Sequence, residues 1–418
     1  MSFGRELVTP VTGTERIGVL DVLRGIALLG MFLVHFNDNA AHVEAASGLT
    51  TIYQRTVSLF FEERFWTMFA ILFGVGFAVQ LRRAEARGRS FESFYLRRLA
   101  GLAAIGFIAH AVFGFNVLLG YAVWGLPLLV VRRWSVRKLV IAAVACAVSW
   151  NVYAIAKATY LVATKGEQGA KATLEATGKR NQAHYEAFEK VKDATSYRTV
   201  FAARVEHMKW FYAQPFSFLP VNSFMLFLLG FIALRLGIFD EPERHRRLIV
   251  TLAVVGTALW AVQAFVFPSL PVHETGPIVR AVALNRLQYG FGLVRDMWLS
   301  FLYIGVVLLL VARDRDWLRR LAPFAWTGRM ALTNYMIQVA LLDLTFSKYG
   351  LGLQVTPLVG LTMAVALFAV DAMFSRWWLA RFRYGPFEWL WRSATYGSWQ
   401  SLRVEADHPT SESLVYGR

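Results

Sequence analysis

The chain has 418 residues, 56% of them hydrophobic and only 17% charged, with 44 Lys and Arg against 28 Asp and Glu for a net charge of +16. A soluble chain carries about 25% charged residues, so this composition, with a mean hydropathy of +0.43, excludes a disordered chain, a collagen and most soluble enzymes and leaves a polytopic membrane protein. The single cysteine, Cys146, excludes an internal disulfide framework and a zinc cluster built on thiolates; no metal site is expected.

A membrane span needs about 20 mostly apolar residues. In chain order, ten segments qualify, at roughly 17–36, 60–80, 97–114, 116–132, 138–156, 216–236, 248–267, 293–312, 326–346 and 354–375. The run 99–131 is too long for one span, and Gly114-Phe115-Asn116 offers the turn that divides it. The first apolar stretch contains Asp21 and Arg24 and no small-residue cleavage site, so no cleavable leader is expected. The expected fold is all-α, a transmembrane bundle of about ten spans in a single integral domain, 1–418.

The basic residues fall in short bursts, as in cytoplasmic loops, and do not point to nucleic acid. Arg82, Arg83, Arg87, Arg97 and Arg98 follow the second span, Arg132 and Arg133 the fourth, Arg235 and Arg244 the sixth, Arg313 and Arg315 the eighth, Arg376 and Arg381 the tenth. Alternation of these loops with poor ones places both termini in the cytoplasm, 376–418 as a cytoplasmic tail among them. Residues 157–215 fall on the other side and read as an amphipathic helical insertion outside the cytoplasm, because long loops obey the charge rule weakly.

Charge at membrane depth is costly, about 2.5–3.5 kcal/mol per residue even on the lenient insertion scale, so it marks function. The first span carries Asp21, Arg24 and His35 on one stripe, with Arg24 and His35 eleven residues and about 16 Å apart. The alternative is an Asp21–Arg24 ion pair at the interface with His35 among headgroups. Glu62, His110, Asn116, Arg295 and Asn334 fall at depths similar to His35 and are candidates for a shared wet cavity that binds substrate; the alternative for each is a headgroup-level residue. Gly74 and Gly76 are expected to permit close helix packing. No phosphate loop, nucleophile elbow, metalloprotease helix or dinucleotide fingerprint occurs.

Leu20-Asp21 through Gly30 and Phe65-Trp66 through Phe77 resemble motifs of the YeiB-like family of bacterial membrane proteins, domain of unknown function 418. So do His110 through Leu126, Gly328 through Gln338, and Tyr384-Gly385-Pro386-Phe387-Glu388-Trp389-Leu390-Trp391-Arg392. Two positions depart: Asn116 stands where the family places an aspartate, and His35 where many relatives carry Asn. The opening helix is also similar to that of the transmembrane acyltransferase superfamily, whose bacterial glycan O-acyltransferases carry on a similar first helix an arginine and, eleven residues later, a histidine. That resemblance implies a multi-pass protein of the bacterial inner membrane that moves an acyl group from cytoplasmic acyl-CoA, a co-substrate rather than a covalently bound cofactor, to a glycan, lipid or small-molecule acceptor. Arg24 would then engage the donor, Asp21 orient Arg24, and His35 act as general base or carry the acyl group transiently. Two readings stay open beside it: a permease for a small organic solute, with Arg24 as binding charge and His35 as proton relay, and a membrane scaffold anchored by Trp389-Leu390-Trp391.

Overall fold

The computed structural model describes residues 18–40, 48–88, 90–114, 117–192, 194–213, 219–265 and 276–404, with the backbone alone for 219–221 and 287–296. Regular structure among them is helical apart from one bridge, Phe382 to Arg403. Six helical runs are long and apolar enough to cross a membrane: Gly18–Asn39, Gly48–Ala86, Glu92–Phe113, Val136–Lys192, Arg246–Phe265 and Pro357–Leu379. Three shorter apolar helices lie at Val117–Val131, Asn222–Arg235 and Met297–Arg313. The protein is therefore a helical membrane protein.

Helix α1 (Gly18–Asn39) sits in the middle of the core, with Leu23, Leu28, Phe32 and Phe36 fully buried. Next come α2 (Gly48–Phe60), α3 (Arg64–Ala86), α4 (Glu92–Phe113) and α5 (Val117–Val131). Gly114, at φ 83°, ends α4 as the expected turn requires. Helix α6 (Val136–Lys192) is broken at Gly166, where φ is 70° and ψ 174°, so an apolar span is followed by a polar arm. That arm and α7 (Tyr197–Ala213) pack together and make up most of the expected 157–215 insertion.

Helices α8 (Leu219–Arg235), α9 (Arg246–Phe265) and α10 (Ile278–Arg313) follow, then the short α11 (Asp316–Arg320) and α12 (Ala322–Arg329). Helices α13 (Ala331–Phe346), α14 (Pro357–Leu379) and α15 (Pro386–Tyr396) complete the described chain. The expected ninth span, 326–346, is thus interrupted at Met330 between α12 and α13. Within 376–418, expected as a tail, α14 runs on to Leu379 and α15 packs against α4 and α13.

Lipid offers no hydrophobic drive between helices, so close approach must come from small residues. A Cβ at Gly74 would overlap the Phe227 carbonyl, and one at Gly230 the Ile71 carbonyl, which locks α3 to α8. Gly25 and Gly328 do the same for α1 and α12, against the carbonyls of Phe324 and Asp21.

The basic loops gather at one end of the bundle. Arg82 pairs with Asp240 at 2.5 Å, Arg132 with Glu92, and Arg235 donates to the carbonyls of Arg132 and Trp134. Trp391 Nε1 donates to the Arg98 carbonyl at 2.7 Å and fastens α15 to the same end.

Candidate functional site

At this basic end a cavity of about 280 Å³ opens between α1, α3, α4, α5, α13 and α15. Asp21 and Arg24, one turn apart on α1, form an ion pair at 3.0 Å in its wall. Arg83, Arg98, Arg329 and Arg392 join them, from α3, α4, α12 and α15. Five guanidinium groups thus face two carboxylates, Asp21 and Glu388, a surplus of three positive charges (5 − 2 = 3).

Glu388 is already engaged. Its carboxylate accepts from the backbone N–H of Leu332 at 2.6 Å and of Thr333 at 3.1 Å, and from the Thr333 hydroxyl at 2.5 Å. These are the orphan donors of the first turn of α13, created by the break at Met330, and a carboxylate from another helix caps them. Burial raises the Glu388 pKa, and the Thr333 hydroxyl and backbone donors oppose that rise. Aromatic rings hold two of the arginines: the Arg98 guanidinium lies 3.7 Å from the centre of the Trp391 ring, and that of Arg392 lies 4.5 Å from Tyr384.

Further from the basic end the wall becomes apolar, with Met31, Phe69, Phe73, Val117 and Leu118. Among the buried polar atoms of the lining, the hydroxyls of Tyr95 and Tyr335 and the amide oxygen of Gln80 have no hydrogen-bond partner among the described residues. Buried polar atoms are nearly always satisfied. Tyr95 is 1% exposed and Tyr335 6%. The cavity therefore combines surplus positive charge, uncommitted donors and an apolar continuation, an arrangement that suits an anion carried on a chain.

The expected residues are distributed unevenly. Asp21 and Arg24 are in the cavity wall. His35 lies outside the lining, one turn beyond Met31, the cavity's outermost residue on the same stripe of α1. Glu62 takes the Ser58 hydroxyl at 2.7 Å at the turn between α2 and α3. His110 is buried on α4 near the Tyr212 ring, with its Nδ1 without a partner among the described residues. Neither lines the cavity. Asn334 is fully buried and donates to the Thr327 carbonyl at 3.1 Å and the Ser375 hydroxyl at 2.9 Å, tying α12, α13 and α14 together. Asn116 lies outside the described residues, and of Arg295 only the backbone is described.

Sequence reasoning missed Arg83, Arg98, Arg329, Arg392 and Glu388. Loop arginines look alike until folding selects those that turn inward; the occurrence of Glu388 and Arg392 together in the Tyr384–Arg392 motif of the resemblance was the available signal. Of the two glycines expected to serve packing, Gly74 does, whereas Gly76 lines the cavity.

Residues 233–398 match the family described as protein of unknown function DUF418. The Escherichia coli (strain K12) protein YeiB is 25% identical over 412 residues, 91% of this chain and 96% of its own length. YxaH of Bacillus subtilis (strain 168) is 31% identical over 415 residues, 94% of this chain and 97% of its own. The chain belongs to the YeiB-like DUF418 family. A 39.9 kDa protein encoded in an amylase 3' region of Bacillus acidopullulyticus, 30% identical over 402 residues, covers 93% of this YeiB-like chain and 96% of its own. Residues 16–168 also match the family described as heparan-alpha-glucosaminide N-acetyltransferase, catalytic, which relates this YeiB-like protein to membrane acyltransferases. The cavity draws on both matched stretches: Asp21, Arg24, Arg83 and Arg98 come from the first, Arg329, Glu388 and Arg392 from the DUF418 stretch.

Proposed function

We propose that this protein is a membrane acyltransferase of the bacterial inner membrane that takes the acyl group of cytoplasmic acyl-CoA and passes it to a glycan, lipid or small-molecule acceptor. The observation that carries this reading is the cavity itself. Its arginine-rich mouth continues into an apolar interior, and it is built on α1 within the stretch similar to an acetyltransferase catalytic family. The arginines hold the phosphates of the donor; planar guanidinium groups do this by paired hydrogen bonds, and stacking on Trp391 and Tyr384 limits the freedom they lose. Asp21 keeps Arg24 in place. The chain of the donor runs inward along Phe73 and Met31.

His35, one turn further along the same stripe, serves as general base on the acceptor side. The acceptor oxygen or nitrogen bonds to the thioester carbonyl carbon, the carbon–sulfur bond breaks, and the acceptor's proton passes through the imidazole to the departing thiolate. The permease alternative has no observation in its favour that the acyltransferase reading lacks.

The test is release of free CoA thiol from short-chain acyl-CoA by the purified protein in nanodiscs, with a panel of glycan and amine acceptors. Wild-type release should exceed that of His35→Ala by roughly 10²–10⁴-fold, the usual worth of a general base. Wild-type release no faster than the variant across the whole panel would sink the acyltransferase reading. Protein-dependent solute accumulation would then favour a permease.

A further inference from the structure

Two glycines two residues apart on α3 have opposite surroundings. A Cβ at Gly74 would overlap the backbone of α8, but one at Gly76 would meet only the Arg24 guanidinium, at 3.8 Å. That is an ordinary contact, so packing does not require glycine at 76. Gly76 instead lines the cavity beside Arg24, and its carbonyl takes the Gln80 amide at 2.8 Å.

The position lies between the polar and the apolar parts of the lining. On α3, Gln80 and Arg83 lie toward the basic end of Gly76, and Phe69 and Phe73 lie the other way. On α1, Asp21 and Met31 flank Arg24 in the same order. Seven helical residues on either side of Gly76, to Phe69 and to Arg83, span about 10 Å each. An arginine chamber and an apolar chamber therefore meet where Arg24 faces a residue with no side chain. Any side chain longer than a methyl at 76 projects into that junction.

We propose that Gly76 determines specificity: the missing side chain opposite Arg24 keeps open a narrow passage between the two chambers, and the ligand is a phosphate-bearing molecule whose unbranched chain lies through it. The donor in the acyl-transfer reading is one such molecule, and for that identification alone the proposal rests on that reading. The passage selects by thickness. A linear alkyl or pantetheine-like chain fits beside Arg24, and a branched or cyclic one does not. The hydroxyls of Tyr95 and Tyr335, both in the lining and without a hydrogen-bond partner among the described residues, are further donors for the ligand.

The experiment uses the full chain in phosphatidylcholine nanodiscs, with empty nanodiscs as blank, and two probes: octyl phosphate, which needs both chambers, and inorganic pyrophosphate, which needs only the arginines. Gly76→Leu should weaken octyl phosphate binding at least tenfold and leave pyrophosphate binding within about twofold of wild type. Gly76→Ala should cost octyl phosphate about threefold and fold normally, because its methyl makes only the 3.8 Å contact; it carries the test if the leucine variant does not fold. Octyl phosphate binding unchanged in the folded variants would overturn the proposal. Equal loss of both probes would overturn it too, since the side chain would then have disturbed the arginines and not the passage. So would failure of the wild type to bind octyl phosphate. If octyl phosphate behaves as expected while wild type releases no thiol from acyl-CoA, the passage stands and the acyl-transfer reading falls.

Discussion

Helix α13 joins two arginine sites that are answered in opposite ways. At its far end Asp343 meets Arg204 of α7, 8% and 6% exposed, with Nη2–Oδ1 at 2.5 Å and Nη1–Oδ2 at 3.2 Å. Arg204 also donates to the Val112 carbonyl and to the Tyr349 hydroxyl at 3.1 Å, and Asp343 accepts from the hydroxyls of Ser347 and Tyr349. One carboxylate, one guanidinium and their neighbours answer each other. Near the start of α13, five arginines share a cavity with two acids, one of which caps the helix, while two tyrosine hydroxyls have no partner among the described residues. A closed polar network specifies a structure, whereas an open one with surplus charge is built for something that is not the protein. The first docks the 157–215 insertion onto α4 and α13; the second is the candidate site.

Crossed substitutions should break that contrast most sharply. Asp343→Ala strands a buried guanidinium and should cost about 3–5 kcal/mol of stability, read as a lowered unfolding midpoint. Arg24→Ala should lower the midpoint less, because its side chain is 29% exposed and other arginines of the cavity remain near Asp21, but it should raise the acyl-CoA concentration for half-maximal thiol release at least tenfold. Arg24→Lys should recover only part of this, because an ammonium cannot reproduce the planar fork. Equal stability losses at the two positions would show that both arginines are structural. A smaller effect belongs to the residue that links the regions. Glu388→Ala removes charge-assisted bonds from the first turn of α13 and should cost about 1.5–3 kcal/mol, with α13 losing amide-exchange protection at its start before its end.

The two regions were also unequally legible in the sequence. Apolar runs located the long apolar helices, because composition at depth is dictated residue by residue, and the i,i+3 spacing of Asp21 and Arg24 offered their ion pair as one of two readings. The sequence reading placed Asn334 in a wet cavity because depth alone says nothing about direction; folding turns it toward Thr327 and Ser375 instead. Arg204 and Asp343 lie 139 positions apart, and no local pattern relates them. The broken ninth span was hidden for a similar reason. At its interruption at Met330, Glu388, more than fifty residues later, supplies the cap. Gly74 and Gly76 look identical in sequence, and only the neighbour each meets, the α8 backbone or the cavity, separates packing from function.

The smallest expected effect concerns the arm that the Arg204 site docks. On it His184 Nε2 lies 3.1 Å from His207 Nδ1, and the rings of Trp210 and Phe188 stack on the two imidazoles at 4.0 and 4.3 Å. The hydrogen bond needs one of these nitrogens to accept, so the pair cannot carry two protons at that contact. Burial lowers the His207 pKa, the neighbouring His184 lowers it further, and Glu189 opposes both. Well above pH ~6.5, the ordinary histidine value, His207 is neutral in both the folded and the unfolded state and adds no pH dependence. As pH falls through that value the unfolded arm takes up its proton first, so stability is lost progressively down to the native pKa. Amide protection of 167–192 and α7, corrected for the intrinsic exchange rate, should therefore be lower at pH 5.5 than at pH 7.5, with α1 unchanged. His207→Phe should flatten the difference by removing the titrating ring while keeping an aromatic surface for Phe188. Equal protection at the two pH values in wild type would mean that the Arg204–Asp343 dock alone sets the stability of the arm. The contrast between closed and open networks would then extend to the whole arm.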